Sequence, residues 1–224
     1  MKRYLGYLTF ISIAAMLFLN AMGYSQEQPY TQNFDGMVVG VLEKQIDPAW
    51  SVRPPNSGDE ANILYLISAE QFKSAPNSLK IVDNSSLSAA IVRKSFPSKA
   101  GGGGYKVSVF LPDDGTGESV YLTLANGTNS TNRYIDILFT GKGELRYRTV
   151  SDFITVMNYE RNKWYDVEVT WANNTFNLSI DGTPTVTNAA VINPANTPTL
   201  VEFKAGSNEK KSYYYIDDLK ITHN

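Results

Sequence analysis

The sequence of 224 residues contains no cysteine and one histidine, His223. The absence of cysteine excludes disulfides, thiolate metal sites and a cysteine nucleophile. With His223 as the only imidazole, neither Ser-His-Asp catalysis nor a histidine-rich zinc site is expected. The formal net charge is −2 and no cluster of lysines and arginines stands out, so we expect no nucleic-acid partner. Such a chain depends for its stability on its hydrophobic core or on a bound ion.

The sequence also lacks an apolar run long enough to cross a membrane, which takes about 20 residues. The apolar run at residues 5–19 follows two basic residues and precedes a small and polar stretch. This order is typical of a secretory signal peptide. We therefore predict a signal peptide at residues 1–25, cleaved after Gly23 or Ser25, and a mature chain without a membrane span. Bacterial export would make the protein secreted or periplasmic, or associated with the cell surface.

The remaining sequence is typical of strands separated by turns. Ten segments alternate apolar and polar residues or are rich in β-branched residues: 78–83, 89–96, 105–111, 119–125, 133–139, 144–150, 164–171, 175–181, 199–205 and 213–222. Stretches rich in Gly, Asn and Asp, such as GGGG at 101–104, separate them. Many short strands at this spacing predict an all-β fold, an antiparallel β-sandwich or jelly roll. Because no repeat or linker is visible, we predict a single domain at residues 26–224.

Three motifs carry a resemblance to a known group of proteins. They are QNFDGMVVG (32–40) with Trp50 soon after it, NKWYDVEVTWANNTFNLSIDG (162–182) and YYYIDDLKIT (213–222). In this order they resemble the concanavalin A-like (laminin-G-like) jelly rolls and the related carbohydrate-binding modules, over nearly all of the chain after residue 25. The resemblance implies a carbohydrate or polysaccharide partner. It also implies that the first and last strands lie side by side.

The same resemblance implies a structural calcium ion between the first and last strands. Its ligands would be an acid of the opening motif and an acid of the terminal Ile-Asp-Asp, for which Asp35, Asp217 and Asp218 are the available carboxylates. Calcium takes roughly six to eight oxygen ligands, mostly carboxylates and carbonyls. The sequence is equally consistent with Asp217 and Asp218 at a strand bulge or a solvent-exposed edge without an ion.

The stretch RYIDILF (133–139) resembles the Glu-Ile-Asp-Ile-x-Glu strand of laminarinase-like hydrolases, but both glutamates are missing. Tyr134 and Phe139 stand in their places and only Asp136 remains. Retaining hydrolysis needs two carboxyl groups about 5–5.5 Å apart, so this strand is not expected to support it. The stretch GELRYR (143–148) faintly resembles an alginate-lyase strand, whose companion Gln-x-His is absent.

Alternation along three neighbouring strands predicts one polar face, because successive side chains of a strand point to opposite sides. That face would carry Tyr121, Thr123, Tyr134, Asp136, Arg146 and Arg148. Tyrosine rings can lie under sugar rings, and Asp and Arg side chains can bind hydroxyls or a uronate. Two arginines would favour an acidic glycan. A solvated outer face with a salt bridge from Asp136 to an arginine fits the same pattern.

Three functions remain open, since jelly rolls serve as lectins, enzymes and structural domains alike. The first is a secreted, non-catalytic carbohydrate-binding protein, with acidic polysaccharide as ligand through Tyr121, Tyr134, Asp136, Arg146 and Arg148. The second is a polysaccharide lyase acting on uronate-containing glycans, with Tyr134 as base or acid near Arg146, which would neutralise the uronate. The third is a structural or adhesion protein of the cell envelope without a glycan site.

Overall fold

The computed structural model describes residues 28–45, 48–97, 101–113, 119–127, 131–206 and 212–223. The predicted signal peptide at residues 1–25 lies outside these ranges. Within them, no helix has the length and apolar character needed to span a membrane. The one helical element that they contain is a short 3-10 turn at Leu42–Lys44.

Sixteen strands make up nearly all of the regular structure in the described residues. In chain order they are β1 (Tyr30–Gln32), β2 (Gly40–Val41), β3 (Trp50–Val52), β4 (Ile63–Ser68), β5 (Ser78–Asp83), β6 (Ile91–Ser95), β7 (Gly103–Phe110), β8 (Val120–Asn126), β9 (Asn132–Phe139), β10 (Glu144–Arg148), β11 (Phe153–Asn158), β12 (Trp164–Ala172), β13 (Thr175–Ile180), β14 (Thr183–Ala190), β15 (Leu200–Ala205) and β16 (Ser212–His223).

The strands form two antiparallel sheets. One sheet has nine strands in the order β14-β13-β12-β7-β16-β5-β4-β2, with β1 paired to β16. The other has seven strands in the order β11-β10-β9-β8-β15-β6-β3. Buried side chains from both sheets form one apolar cluster between them. The predicted all-β antiparallel sandwich is therefore confirmed.

Strand β12 illustrates how the sequence produces this core. Tyr165, Val167, Val169 and Trp171 are buried, whereas Glu168 between them is exposed. Alternation with a period of two places one set of side chains between the sheets and the other in solvent. Burial of a large apolar side chain stabilises the fold by about 1.5–3 kcal/mol. The alternating pattern of β12 therefore fixes which side of the strand faces the core.

The first and last strands lie side by side, as the resemblance implied. Tyr30 of β1 lies opposite Ile221 of β16, and Gln32 lies opposite Leu219. Strand β16 also lies between β5 and β7, so it occupies an interior position in the nine-stranded sheet. The prediction of adjacent terminal strands is therefore confirmed.

Candidate functional site

The seven-stranded sheet carries a row of polar side chains on the face that points away from the core. Arg93 of β6 lies opposite Glu202 of β15, Glu202 lies opposite Thr123 of β8, and Thr123 lies opposite Asp136 of β9. The apolar neighbours of these four residues along their strands belong to the core cluster. Four strands therefore bring residues from distant parts of the sequence into one row.

A second row of side chains lies beside the first. Lys204 of β15 is opposite Tyr121 of β8, Tyr121 is opposite Leu138 of β9, and Leu138 is opposite Arg146 of β10. Lys204 Nζ lies 4.9 Å from the centroid of the Tyr121 ring, within the range of a cation–π contact. Arg146 donates a 2.6 Å hydrogen bond to Glu144 Oε2. This row therefore has a cation at each end and an aromatic ring between them.

Arg133 and Tyr134 lie at a bulge of β9. One extra residue, Tyr134, is inserted between the pairs that Arg133 and Ile135 make with β8. Tyr134 is part of the core cluster and is 4% exposed, while Arg133 Nε lies 3.3 Å from Asp136 Oδ2. The prediction that Tyr134 shares a face with Asp136 is wrong, because simple alternation holds only along an unbroken strand.

Asp136 is one of two enclosed acids in the first row. Its side chain is 1% exposed, and the Thr123 hydroxyl donates a 2.6 Å hydrogen bond to Asp136 Oδ1. Burial raises the pKa of Asp136, and the Thr123 hydrogen bond and the charges of Arg133, Arg148 and Lys204 act in the opposite direction. A carboxylate in such a place is tolerated only when hydrogen bonds and cations surround it.

Glu202 is the second enclosed acid. Arg93 Nε donates a 2.8 Å hydrogen bond to Glu202 Oε2, and the two side chains are 16% and 1% exposed. Burial lowers the pKa of the neighbouring Lys204, while the Glu202 carboxylate raises it. Glu202 therefore has two neighbouring cations, Arg93 of β6 and Lys204 of its own strand.

Several buried polar atoms of these rows have no hydrogen-bond partner among the described residues. They are Asp136 Oδ2, Glu202 Oε1, Arg133 Nε and Arg146 Nε. Arg133 Nε and Asp136 Oδ2 are close enough for an ion pair, but no hydrogen bond joins them. Buried polar atoms in proteins nearly always have a partner, whether from protein or from water. These atoms are enclosed by neighbouring side chains, so they belong to a buried polar network beneath the surface of the sheet.

We call this surface the basic face. It comprises three uncharged residues, Tyr121, Thr123 and Leu138, together with three acids and six bases. The charged residues are Asp136, Glu144, Glu202, Arg53, Arg93, Arg133, Arg146, Arg148 and Lys204. Its formal charge is +3, whereas the whole chain carries −2. Positive charge is thus concentrated on one side of a weakly acidic protein.

The basic face unites four of the five predicted ligand-binding residues, namely Tyr121, Asp136, Arg146 and Arg148. Ligand binding by them stays a prediction. Arg93, Glu202 and Lys204 were missed, although alternation in the segment 199–205 places Glu202 and Lys204 on one side. What the sequence does not provide is the strand order, which puts β6 and β15 beside β8.

The three predicted calcium ligands have other partners. Asp217 accepts hydrogen bonds from the backbone N–H groups of Lys73 (2.9 Å), Ser74 (3.1 Å) and Asp218 (2.8 Å). The Ser74 hydroxyl donates to Asp218 Oδ1 at 2.8 Å, and the Asn77 N–H donates to a different acid, Asp35, at 3.3 Å.

The described residues contain no group of three or more His, Cys, Asp or Glu side chains that could hold a metal ion. Asp217 and Asp218 instead lie at a bulge of β16, where the pairing with β7 shifts by one residue. The three carboxylates are hydrogen-bonded to protein groups, and a calcium ion there would need further oxygen ligands. Calcium binding at this place therefore stays a prediction from the resemblance.

Comparison of the sequence with protein-family models and with curated proteins gives no match. Comparison of the fold with solved structures gives matches that cover most of the chain. A sialidase matches with a TM-score of 0.72 and 14% identity, over 89% of this chain and 19% of the sialidase. The chain therefore spans about a fifth of the length of that protein.

Two further solved structures match over nearly their whole length. A β-glucanase of Bacillus licheniformis has a TM-score of 0.58 and 16% identity, over 88% of this chain and 98% of its own. A carbohydrate-binding module from Bacillus subtilis has a TM-score of 0.53 and 10% identity, over 78% and 96%. The order of the strands and these likenesses show the fold of a concanavalin A-like jelly roll. At these identities the likeness concerns the fold alone.

Proposed function

We propose that this protein is a secreted, non-catalytic carbohydrate-binding protein that holds an acidic polysaccharide on the basic face. The observation that carries the proposal is the concentration of six cationic side chains around Tyr121 and Thr123, with a formal charge of +3 on a chain of charge −2. Carbohydrate is the class of ligand indicated by the jelly-roll fold of the chain, which is similar to that of a carbohydrate-binding module.

The chemistry of the basic face favours a ligand with both carboxylates and hydroxyls. Arginine guanidinium groups match carboxylates and related anions in a bidentate manner. The side chains of Arg133, Arg146 and Arg148 are partly exposed, as are those of Lys204 and Tyr121. Asp136 and Glu202 are buried beneath them and hold the neighbouring cations in place. Uronate units offer the carboxylate and the hydroxyls that such a set can bind.

The placement of the tyrosines favours binding over lyase chemistry. A lyase needs a base beside the group that neutralises the uronate. Tyr134, which was the predicted base, lies in the core and not beside Arg146 on the basic face. The proposal therefore assigns Arg146, Arg148 and Tyr121 to ligand binding and assigns no residue to catalysis.

The proposal is tested by comparing two double variants that lose the same charge. Arg146→Ala with Arg148→Ala removes two cations of the basic face. Lys163→Ala with Lys220→Ala removes two exposed cations elsewhere. Binding to alginate, polygalacturonate and a neutral glucan is measured by calorimetry at low and high salt.

We expect the wild-type chain to bind at least one acidic glycan, more weakly at high salt because the charges are screened. The arginine variant should bind at least about tenfold more weakly, which corresponds to the loss of one to two charge-assisted hydrogen bonds. The lysine variant should bind like the wild type. Equal binding by the two variants contradicts the proposal. Binding to none of these glycans would favour a structural or adhesion role.

A further inference from the structure

A cavity of about 250 Å³ lies at one end of the sandwich. It forms where the turn between β12 and β13 meets the segment that precedes β15. Its described lining includes two aromatic residues, Tyr134 and Trp171, and three asparagines, Asn173, Asn174 and Asn196. The remaining described lining residues are glycine, alanine, threonine and proline, so no lining residue that the structure describes carries a charge.

Local backbone features build this cavity. Gly103 is required because an added Cβ would lie 2.7 Å from Trp171 Cζ2, so the glycine stretch at 101–104 makes room for the Trp171 ring. Asn173 and Asn174 adopt left-handed φ angles of 51° and 63°, which asparagine tolerates better than most residues. These two asparagines therefore form the tight turn that lines the cavity together with the two aromatic residues.

The cavity and the basic face meet at the bulge of β9. Arg133 belongs to the basic face, and the next residue, Tyr134, lines the cavity. The segment before β15 is tied to the backbone of both residues. Ile192 N–H donates to Tyr134 O at 2.9 Å, and Asn196 Nδ2 donates to Arg133 O at 3.2 Å. The single extra residue of the bulge therefore separates a charged surface from an uncharged cavity.

The lining suits an uncharged, hydroxyl-rich ligand. A side-chain amide both donates and accepts hydrogen bonds, which matches sugar hydroxyls. Small-molecule sites are typically concave, with an apolar lining and a few polar groups that fix orientation. A carboxylate or ammonium group would find no opposite charge among the described lining residues.

We infer that this cavity is a subsite for a neutral sugar unit, next to a basic face that holds acidic units. The inference rests on the proposed function for the acidic part of the ligand. It defines the ligand as a heteropolysaccharide in which uncharged units accompany acidic ones. An acidic polysaccharide made only of uronates would occupy the basic face and leave the cavity unused.

The test uses cellohexaose, laminarihexaose, mannohexaose and xylohexaose as neutral probes. Each is titrated to millimolar concentration into the ¹⁵N-labelled protein, and backbone amide shifts are followed by NMR. The variant Asn173→Gly with Asn174→Gly removes both amides, and glycine accepts the left-handed φ angles without strain. Asn188→Gly is the matched control, because Asn188 is exposed, has a φ of 53° and does not line the cavity.

We expect at least one neutral probe to shift the amides of Gly102, Asn173, Asn174 and Asn196. The double variant should bind that probe about tenfold more weakly or worse, since two hydrogen-bonding side chains are lost, and Asn188→Gly should bind like the wild type. The inference is overturned if no probe shifts these amides, or if the double variant binds as well as the control.

The arginine variants of the basic face separate this result from the proposed function. If acidic glycans bind through Arg146 and Arg148 but the neutral probes do not bind, the inferred neutral subsite is refuted and the proposed function stands. If the neutral probes bind at the cavity while the arginine variant retains acidic binding, the basic-face proposal fails and the cavity stands as a site for neutral glycans.

Discussion

Thr123 and Asp136 lie directly opposite each other on β8 and β9, and the Thr123 hydroxyl donates a 2.6 Å hydrogen bond to Asp136 Oδ1. Both side chains are almost fully buried. The hydrogen bond joins the two strands at the centre of the basic face, and it favours the charged form of a carboxyl group whose pKa burial raises.

Thr123→Val should lower the free energy of unfolding by about 1–3 kcal/mol, because a buried carboxylate loses a hydrogen-bond donor. Urea unfolding at neutral pH measures the change. Thr170→Val, on an exposed position of β12, is the control and should leave stability nearly unchanged. Equal stability of the two variants would show that the Thr123 hydroxyl contributes nothing.

Glu202→Gln should destabilise the protein by about 3 kcal/mol, the lower end of the range for a broken buried ion pair, because Arg93 keeps some contact with solvent. Replacing both partners, Glu202→Leu with Arg93→Leu, should restore part of this loss, since no charge is then left unpaired. Chemical denaturation compares the three proteins, with the exposed Glu168→Gln as control. A double variant less stable than Glu202→Gln would contradict this account.

The contribution of the Asp217 carboxyl group to the free energy of unfolding should fall as pH rises from about 4 to about 7. Burial raises the pKa of Asp217 from 3.8 to about 6. The folded state then binds a proton that the unfolded state releases, so this contribution is full below the unfolded value and is lost as pH rises through the folded value. In Asp217→Asn the contribution is absent. The difference in unfolding free energy between wild type and variant should therefore decrease from about pH 4 to about pH 7, and a constant difference would refute the assignment.

Calcium should leave the melting temperature unchanged relative to a chelator. An ion bound only to the folded state would raise Tm by mass action. The oxygens of Asp217 already accept three backbone N–H groups, and the described residues contain no acidic group suited to a metal ion. Differential scanning calorimetry measures the melting temperature in the presence of calcium and in the presence of a chelator. A rise that Asp217→Asn abolishes would support the calcium ion that the resemblance implies.

Much of the fold could be predicted from the sequence, because the period of the side-chain pattern depends only on local residues. Alternation correctly placed Ile135 and Ile137 in the core and Asp136 on the opposite side. It also placed Tyr121 and Arg146 on the same side as Asp136. The physical reason is that one face of each of these strands is packed against the other sheet, which fixes its orientation.

The rest of the candidate site depends on a bulge and on the strand order, neither of which the alternation of side chains along one strand predicts. Because one extra residue is inserted in β9, the Tyr134 side chain lies in the core and Arg133 takes the place on the basic face that was predicted for Tyr134. Glu202 and Arg93 joined the site because β15 and β6 follow β8 in the sheet, although 109 positions separate the two residues. Strand order is a property of the whole sandwich and cannot be read from any one segment.

The interior position of β16 has a consequence for how the molecule comes into being. Ser212–His223 lies between β5 and β7 and also carries β1, so the larger sheet stays divided until this segment has been synthesised. Pairings between such distant segments form late and slowly. A nascent chain stopped before residue 212 would expose the unpaired edges of β5 and β7, which are ready to pair with other chains. Premature termination is therefore expected to yield aggregated protein rather than a smaller working domain.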